Sequence, residues 1–361
     1  MKTILYPSSI NWSFMFQRPQ QLMRMFAKKG YKSVFMDKVV QLPGAVNRDE
    51  PYNPEPNLTV LPEGSEMPNF DILYFTYPPP GADLMCKHPD KLSVFDACDL
   101  PEGAFNFWNY GGAWDYCVEN ADIVLASSQY LIKKIKEKGI DPIYVPNAVD
   151  PQNFVWEKDV PFPSEFQDIP EPRVLYTGAI ASWFDKELVY KVSEMLPNIS
   201  FIYVGASMND SLYGPNDNMY LLGHKPYERM AEFLYNSDVL TIPFRHDDPI
   251  IKSTNPIKVW EYLLTGKPIV TTKIPECENI QWGEQKDLFG QIMNPYLGKG
   301  PIYISETPDA FAKNIEMALE ETKHYCRNGW TPKIGRFQIA MRNTWNSRAD
   351  RIIEEINKCQ Q

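Results

Sequence analysis

A lysine and a glutamate three residues apart, Lys258 and Glu261, are the side chains of this chain best placed to do chemistry. They lie in SDVLTIPFRHDDPIIKSTNPIKVWEYLLTGKPIVTT (237–272), which has the form strand, polar loop, short helix, strand. Asn followed by Pro is a helix start, so Asn255 is predicted as N-cap and Pro256 as the first helical residue, where no N–H is needed. Gly266 then ends the helix, and Pro268 opens the strand IVTT. Lys258 falls in the first turn, where backbone N–H groups and the helix dipole favour an anion; with a lysine added they suit phosphate. Glu261, one turn further in, is an acceptor for ribose or sugar hydroxyls. The loop before the helix carries Arg245 and His246, and an arginine can engage phosphate oxygens bidentately. Together these residues point to a nucleotide or a nucleotide-sugar. The plainer alternative is an i, i+3 surface pair worth a few tenths of a kcal/mol.

The elements around this segment alternate. Thr3–Pro7, Ser33–Asp37, Asp71–Tyr77, Leu92–Phe95, Asp122–Ala126 and Ile143–Val145 read as strands. Pro19–Lys29, Trp114–Glu119 and Gln129–Lys138 read as helices between them. Residues 151–172 are proline-rich and aperiodic, and are predicted as a linker. The alternation resumes at Arg173–Thr177, Phe201–Val204, Val239–Pro243 and Ile269–Thr272, and two amphipathic helices follow at Pro308–Lys323 and Trp345–Lys358. Strand and helix in alternation imply parallel sheets with helices on both faces. The expected division is a first domain over 1–150, a second over 173–340, and a closing helix over 341–361 that crosses back to the first.

At 361 residues, with 43% apolar and 13% aromatic residues, the chain suits two globular domains. A net charge of −10 argues against nucleic acid as a partner. The six cysteines are scattered without a C-x-x-C pair, and with four histidines they give no metal-ligand pattern. No signal peptide and no apolar run of membrane-spanning length is seen, so the chain is expected to be cytoplasmic, without a metal or cofactor. The opening strand leads into PSSINW with no G-x-G-x-x-G, which argues against a dinucleotide-binding dehydrogenase. Asp37 then reads as a solvated strand-end residue, and His88 and His324 as surface residues.

IPFR and NPIKVWEYLLTGKPIVTT resemble the donor-binding segment of GT-B glycosyltransferases, in particular the group-1, family-4-like enzymes that build bacterial polysaccharides of the teichuronic-acid type. The resemblance runs through ADIVLASSQYLIKKI, YVPNAVDPQNF, VLYTGAIASWFDKELV, FIYVGA and YLLGHKPYERMAEFLYNSDVLTIPF, in the family's order. It implies an α/β fold of two Rossmann-like domains facing a cleft, and a hexosyl transfer from a nucleotide-diphosphate sugar, with UDP-sugar the expected donor. It also implies that the Gly178 backbone, Arg245 and Lys258 hold the diphosphate, and that Glu261, Ser253, Thr254 and Asn255 hold donor sugar and ribose. The turn Gly223–His224–Lys225 would take the base. Two departures stand out: Ala179 occupies the place of the family's diphosphate arginine, and Ser253 that of the first of its paired glutamates.

The first domain is expected to hold the acceptor, a cell-surface polysaccharide or a lipid-linked glycan. Asp96 and Asp99 are the candidates for catalytic base, on a loop after a strand, with loop capping as the alternative. Gln17 and Arg18 are the acceptor-side candidates, Arg18 either binding an anionic acceptor or capping the next helix. Arg24, Lys28, Lys29 and Lys32 form a basic face that either touches the inner membrane surface or is simply solvated. A sugar-nucleotide 2-epimerase and a non-catalytic sugar-nucleotide-binding protein remain as alternatives, since fold alone does not give function.

Overall fold

The structure, a computed structural model, describes residues 1–42, 45–154, 160–207, 212, 216–282, 285–286, 292–293, 300–321 and 331–360. His324 and the last two residues of the helix expected at Pro308–Lys323 lie outside the described residues. The chain forms two compact units: Met1–Asn147, Ser253–Asn255 and Trp345–Gln361 make the first, Ala148–Lys252 and Pro256–Thr344 the second.

In chain order the first 147 residues give β1 (Thr3–Tyr6), α1 (Arg18–Lys28), β2 (Lys32–Met36), β3 (Tyr52–Glu55), β4 (Leu58–Leu61), β5 (Ile72–Phe75), α2 (Pro78–Lys87), β6 (Leu92–Ala97), α3 (Ala113–Asn120), β7 (Ile123–Ala126), α4 (Gln129–Lys136) and β8 (Ile143–Tyr144). The remainder gives β9 (Arg173–Thr177), α5 (Lys186–Met195), β10 (Ser200–Val204), β11 (Met219–Gly223), α6 (Met230–Tyr235), β12 (Val239–Ile242), α7 (Pro249–Ser253), α8 (Ile257–Thr265), β13 (Ile269–Thr272), α9 (Pro275–Glu278), the short pair β14 (Gln285–Lys286) and β15 (Ile292–Met293), β16 (Tyr303–Ser305), α10 (Pro308–Glu321), α11 (Pro332–Met341) and α12 (Trp345–Cys359).

The first unit is an eight-stranded sheet in the order β3-β4-β2-β1-β5-β6-β7-β8, parallel except for the β3–β4 pair. ILYF and IVLA are buried at every position, as strands covered on both faces must be. The β3–β4 hairpin and α2 carry no clear sequence signal. α2 begins PPPG, and its prolines sit in the first turn, where the missing N–H groups cost nothing. Asp37 corrects the sequence reading: it is buried, and its carboxylate accepts the Trp12 and Lys38 N–H groups at 2.6 and 2.9 Å. It thereby pins the loop that follows β1. Part of the basic face of α1 is engaged within the unit, since Arg24 and Lys28 pair with Glu55 and Lys29 with Asp350 of α12.

The second unit is a six-stranded parallel sheet, β11-β10-β9-β12-β13-β16. The segment read as a linker is packed into it: Phe154, Phe166 and Ile169 are buried in its core, anchors too widely spaced to show a period. α8 is fixed at its C-terminal end. Gly266 takes the left-handed conformation, φ +73, and the buried Arg336 of α11 donates to its carbonyl (3.3 Å) while gripping Glu321 of α10 through both carboxylate oxygens.

Candidate functional site

Three parallel strands of the second unit end in glycines, and these ends are stitched side by side. Gly178 N–H donates to Val204 O at 2.8 Å, Gly205 N–H to Gly223 O at 2.9 Å, and Ile180 N–H to Ala206 O at 2.9 Å. A Cβ at residue 205 would lie 1.8 Å from the carbonyl oxygen of Gly178, so the backbone leaves no room for a side chain there. Gly178 has φ +131, a conformation that L side chains rarely adopt, and a Cβ on it would fall 2.6 Å from Nζ of Lys258. The ammonium thus occupies the space that glycine leaves. This is the carboxyl edge of an open parallel sheet, where such folds bind ligands.

Lys258 is the second residue of α8 and stands between two aromatic rings. Nζ is 4.6 Å from the centre of Tyr176 and 4.7 Å from that of Phe244, and it donates to Tyr176 Oη at 3.2 Å. Tyr176 Oη in turn donates to the Ala179 carbonyl at 2.7 Å, so one phenol orients both the lysine and the turn after Gly178. Desolvation drives the Lys258 pKa down to about 8, with the Glu261 charge opposing. Glu261 is 7% exposed; burial raises its pKa to about 7, against a hydrogen bond from Tyr227 and the charge of Lys258. Tyr227 is itself held protonated by burial. An exposed ion pair does not describe these two residues: Glu261 is buried and Lys258 half-buried, and the charge of each opposes the effect of burial on the other.

The start of α8 differs by one residue from the sequence reading. Pro256 is extended (ψ 119°) and occupies the cap position, so the helix proper opens at Ile257. The Asn255 carbonyl accepts Asn147 Nδ2 at 2.5 Å. Ser253, Thr254 and Asn255 belong to the first unit, with Ser253 and Asn255 buried. Arg245 is an exposed residue paired with Asp247 at 3.1 Å, an ion pair weak enough to exchange for another anion. His246 is exposed beside it. Gly223 ends β11 with φ +67, and in the turn after it Lys225 pairs with Glu165 at 2.9 Å while burial lowers the His224 pKa.

In the first unit the structure joins two candidates that the sequence kept apart. Asp96 is not on a loop: it lies inside β6, fully buried, and Arg18 grips it through Nε and Nη2 at 2.7 and 2.8 Å. Tyr74 donates to the same carboxylate at 2.5 Å. Asp96 in this arrangement is a structural counter-ion, its oxygens taken up by donors, and not a base open to a substrate hydroxyl. Arg18 is likewise no open anion trap. It is the first residue of α1, 3% exposed, with Nη1 on Asn147 Oδ1 at 3.1 Å, and the Asp96 charge holds it protonated despite burial. Gln17 caps that helix, its N–H donating to Gln20 Oε1 at 3.2 Å. Asp99 differs from Asp96. It follows the end of β6, is half-buried, and burial raises its carboxyl to about 6.

Tyr176, Gly205 and Tyr227 were missed by sequence reasoning. The signal for the first two was present as a recurrence: LYTGA (175–179) and IYVGA (202–206) are the same strand end on two adjacent strands. Tyr227 carries no comparable mark.

Residues 171–321 match the family model described as Glycosyl transferases group 1. Over 175 residues the chain is 25% identical to a Bacillus subtilis (strain 168) protein named as a teichuronic acid biosynthesis glycosyltransferase; the match spans 45% of this chain and 43% of that relative. Among solved structures, the sucrose-phosphate synthase of Thermosynechococcus elongatus superposes with a TM-score of 0.70 at 13% identity, covering 99% of both chains. HepE of Anabaena, solved in complex with UDP and glucose, superposes with a TM-score of 0.66 at 14% identity, again over 99% of both. At these identities the structures show the fold, which is GT-B. The family match, residues 171–321, begins with the first strand of the second unit and runs to the end of α10.

Gly205→Ala tests the glycine edge. The added methyl meets backbone, which cannot rotate away, so the variant is expected to lose about 1–3 kcal/mol of stability in urea denaturation. A variant as stable as the parent would show that the strand ends are not held in contact.

Proposed function

We propose that this chain, whose residues 171–321 match the group 1 glycosyltransferase model, moves a sugar from a nucleoside-diphosphate sugar to a glycan or lipid-linked glycan. The observation that carries this reading is the desolvated Lys258 ammonium lodged against Gly178. A half-buried ammonium set among aromatic faces, a phenol and a partly protonated carboxyl is under-compensated, and an entering diphosphate offsets that cost. Around it stand the amide-rich strand ends and the start of α8, both suited to phosphate oxygens. In the transfer step negative charge builds on the leaving diphosphate, and a preorganised ammonium stabilises it there. Lys258 supplies this charge without a divalent cation. Arg245, on the loop after β12, is a second contributor once it releases Asp247. UDP is the favoured nucleotide, supported by the UDP seen in HepE, which shares the fold.

Glu261, with Tyr227 fixing its orientation, is placed to accept ribose or sugar hydroxyls. On the acceptor side we assign the proton-accepting role to Asp99 in preference to Asp96, because Arg18 and Tyr74 already occupy the Asp96 carboxylate. A carboxyl raised to about 6 is well matched to taking a proton near neutral pH. The acceptor is a glycan of the cell surface, a reading supported by the teichuronic acid relative.

The pH dependence follows from Lys258. Its pKa is 10.5 in the unfolded chain and about 8 in the folded one, so between these values the unfolded chain holds the extra proton. Its contribution to stability therefore rises with pH across that window, whereas diphosphate needs the protonated form. UDP affinity, measured by calorimetry in EDTA, is expected to fall as pH rises through about 8. Lys258→Met is expected to weaken binding by about 1.5–3 kcal/mol below that pH and to remove the titration. UDP binding that needs Mg²⁺ or Mn²⁺, or that is unchanged in the variant, would defeat the assignment.

Asp99→Asn is expected to lower turnover by roughly 10²–10⁴ while leaving UDP affinity unchanged. The parent's rate should rise as pH passes through about 6, where Asp99 ionises. Full activity in the variant would leave the proton to the donor phosphate.

A further inference from the structure

The segment after β6 reads GAFNFWNYGG and forms a 3-10 turn over Gly103–Gly112 that brings aromatic rings to the surface. Phe107 is 50% exposed and Tyr110 81%. Tyr77, at the end of the neighbouring strand β5, packs edge-on against Trp108 and Phe107 with ring centres 5.7 and 6.1 Å apart, and Phe105 lies 5.2 Å from Trp108. The cluster is braced from below. Asn109 accepts the Trp114 and Asp115 N–H groups at 3.0 and 3.2 Å and donates to Asp115 at 2.9 Å, and Gly111 and Gly112 make the turn into α3 with φ +62 and +77. Exposed aromatic residues held this firmly are not needed for the core of the unit, which closes without Phe107 and Tyr110.

The chemistry around the rings selects what they bind. Between Lys91 and Lys133 the sequence has no lysine or arginine and six acidic residues. The cations that reach the region are already matched: Lys138 pairs with Asp115 at 2.6 Å, and Lys134 pairs with Glu137 and faces Glu102. The stretch that carries the rings is therefore acidic, with no cation of its own, and is poorly suited to an anionic lipid surface. Carboxylates at Asp99 and Glu102 and the exposed amide of Asn106 instead offer acceptors for hydroxyl groups. Both strands that carry the cluster present it at their carboxyl ends, the edge at which open parallel sheets bind ligands.

We propose that Tyr77, Phe105, Phe107, Trp108 and Tyr110 form a stacking platform for an uncharged stretch of glycan chain. The C–H faces of the sugar rings lie on the aromatic faces, and the hydroxyl groups donate to Asp99, Glu102 and Asn106. This rests on the transferase reading above and deepens it, since it makes the acceptor neutral where it meets the protein and places Asp99 beside it.

The test uses the full chain and a variant combining Phe107→Ser with Tyr110→Ser, both at exposed positions that the fold tolerates. A panel of neutral oligosaccharides built from glucose, galactose or N-acetylhexosamines is set against uronic-acid oligosaccharides, and against vesicles of phosphatidylethanolamine with phosphatidylglycerol. UDP calorimetry runs in parallel. The parent is expected to bind at least one neutral oligosaccharide, and the variant to bind it about tenfold or more weakly with UDP affinity unchanged. Equal glycan binding by the variant, binding of acidic glycans alone, or no glycan binding would overturn the platform, as would vesicle binding that the variant loses. UDP binding without glycan binding would overturn the platform and leave the donor reading standing. The converse result, glycan binding lost in the variant with no UDP binding in the parent, would support the platform and defeat the donor reading.

Discussion

The desolvation of one ammonium group organises the second unit. Lys258 enters at the start of α8 and is held by Tyr176, Phe244 and the vacancy at Gly178, which only glycine can leave. Each of these partners depends on another part of the fold. Tyr176 is positioned by β9, Gly178 by its bond to Val204 on β10, and α8 by Tyr262, whose hydroxyl accepts the Thr177 N–H at 2.9 Å. Arg336 then fixes the far end of the helix through Gly266. A surface lysine would need none of this. A lysine whose pKa is pushed to about 8 depends on it, because partial desolvation of a charge is tolerated only where the surroundings or a ligand answer it.

The first unit solves a similar problem in the opposite way. Its buried charge, Arg18, is answered inside the protein by a two-oxygen contact from Asp96, with Tyr74 and Asn147 completing the network. Removing one partner of such a pair costs about 3–5 kcal/mol, because the other is left buried and unmatched. Asn147 extends the network to the Asn255 carbonyl, and Trp345 of α12 lies 5.8 Å from the Arg18 guanidinium. These contacts tie three separate stretches of sequence, 1–147, 253–255 and 345–361, into one unit. Arg18 is thus matched by a full counter-charge, whereas Lys258 is answered by a phenol and two aromatic faces.

Much of this was legible in the sequence, and the failures have physical causes. The alternation of strand and helix gave the parallel sheets, because buried strands such as IVLA carry their own apolar signature. The spacing of Lys258 and Glu261 put both on one short helix, and Gly266 marked its end. What failed was the environment of charged residues. Asp96 and Arg18 lie 78 positions apart, and nothing local in either stretch announces that they pair. Asp37 looked like an exposed strand end because its partners, the Trp12 and Lys38 N–H groups, are backbone and carry no side-chain pattern. The residues at 151–172 looked like a linker because their buried anchors, Phe154, Phe166 and Ile169, are too sparse to show a period. Pro256 took the cap position expected of Asn255 because its backbone is extended, so that helical geometry begins one residue later. Sequence pattern reports which residues want to be buried; it does not report which charges will meet.

The central claim is that Lys258 is a desolvated ammonium awaiting a diphosphate. Direct titration of its side-chain nitrogen by NMR, in ¹⁵N-lysine-labelled protein with Lys258→Met as the assignment control, reads this without relying on turnover. A midpoint near 8 is expected in the free protein, moving upward when UDP is bound, since the phosphates favour the protonated form. A midpoint near the ordinary 10.5 in the free protein, unmoved by UDP, would contradict it.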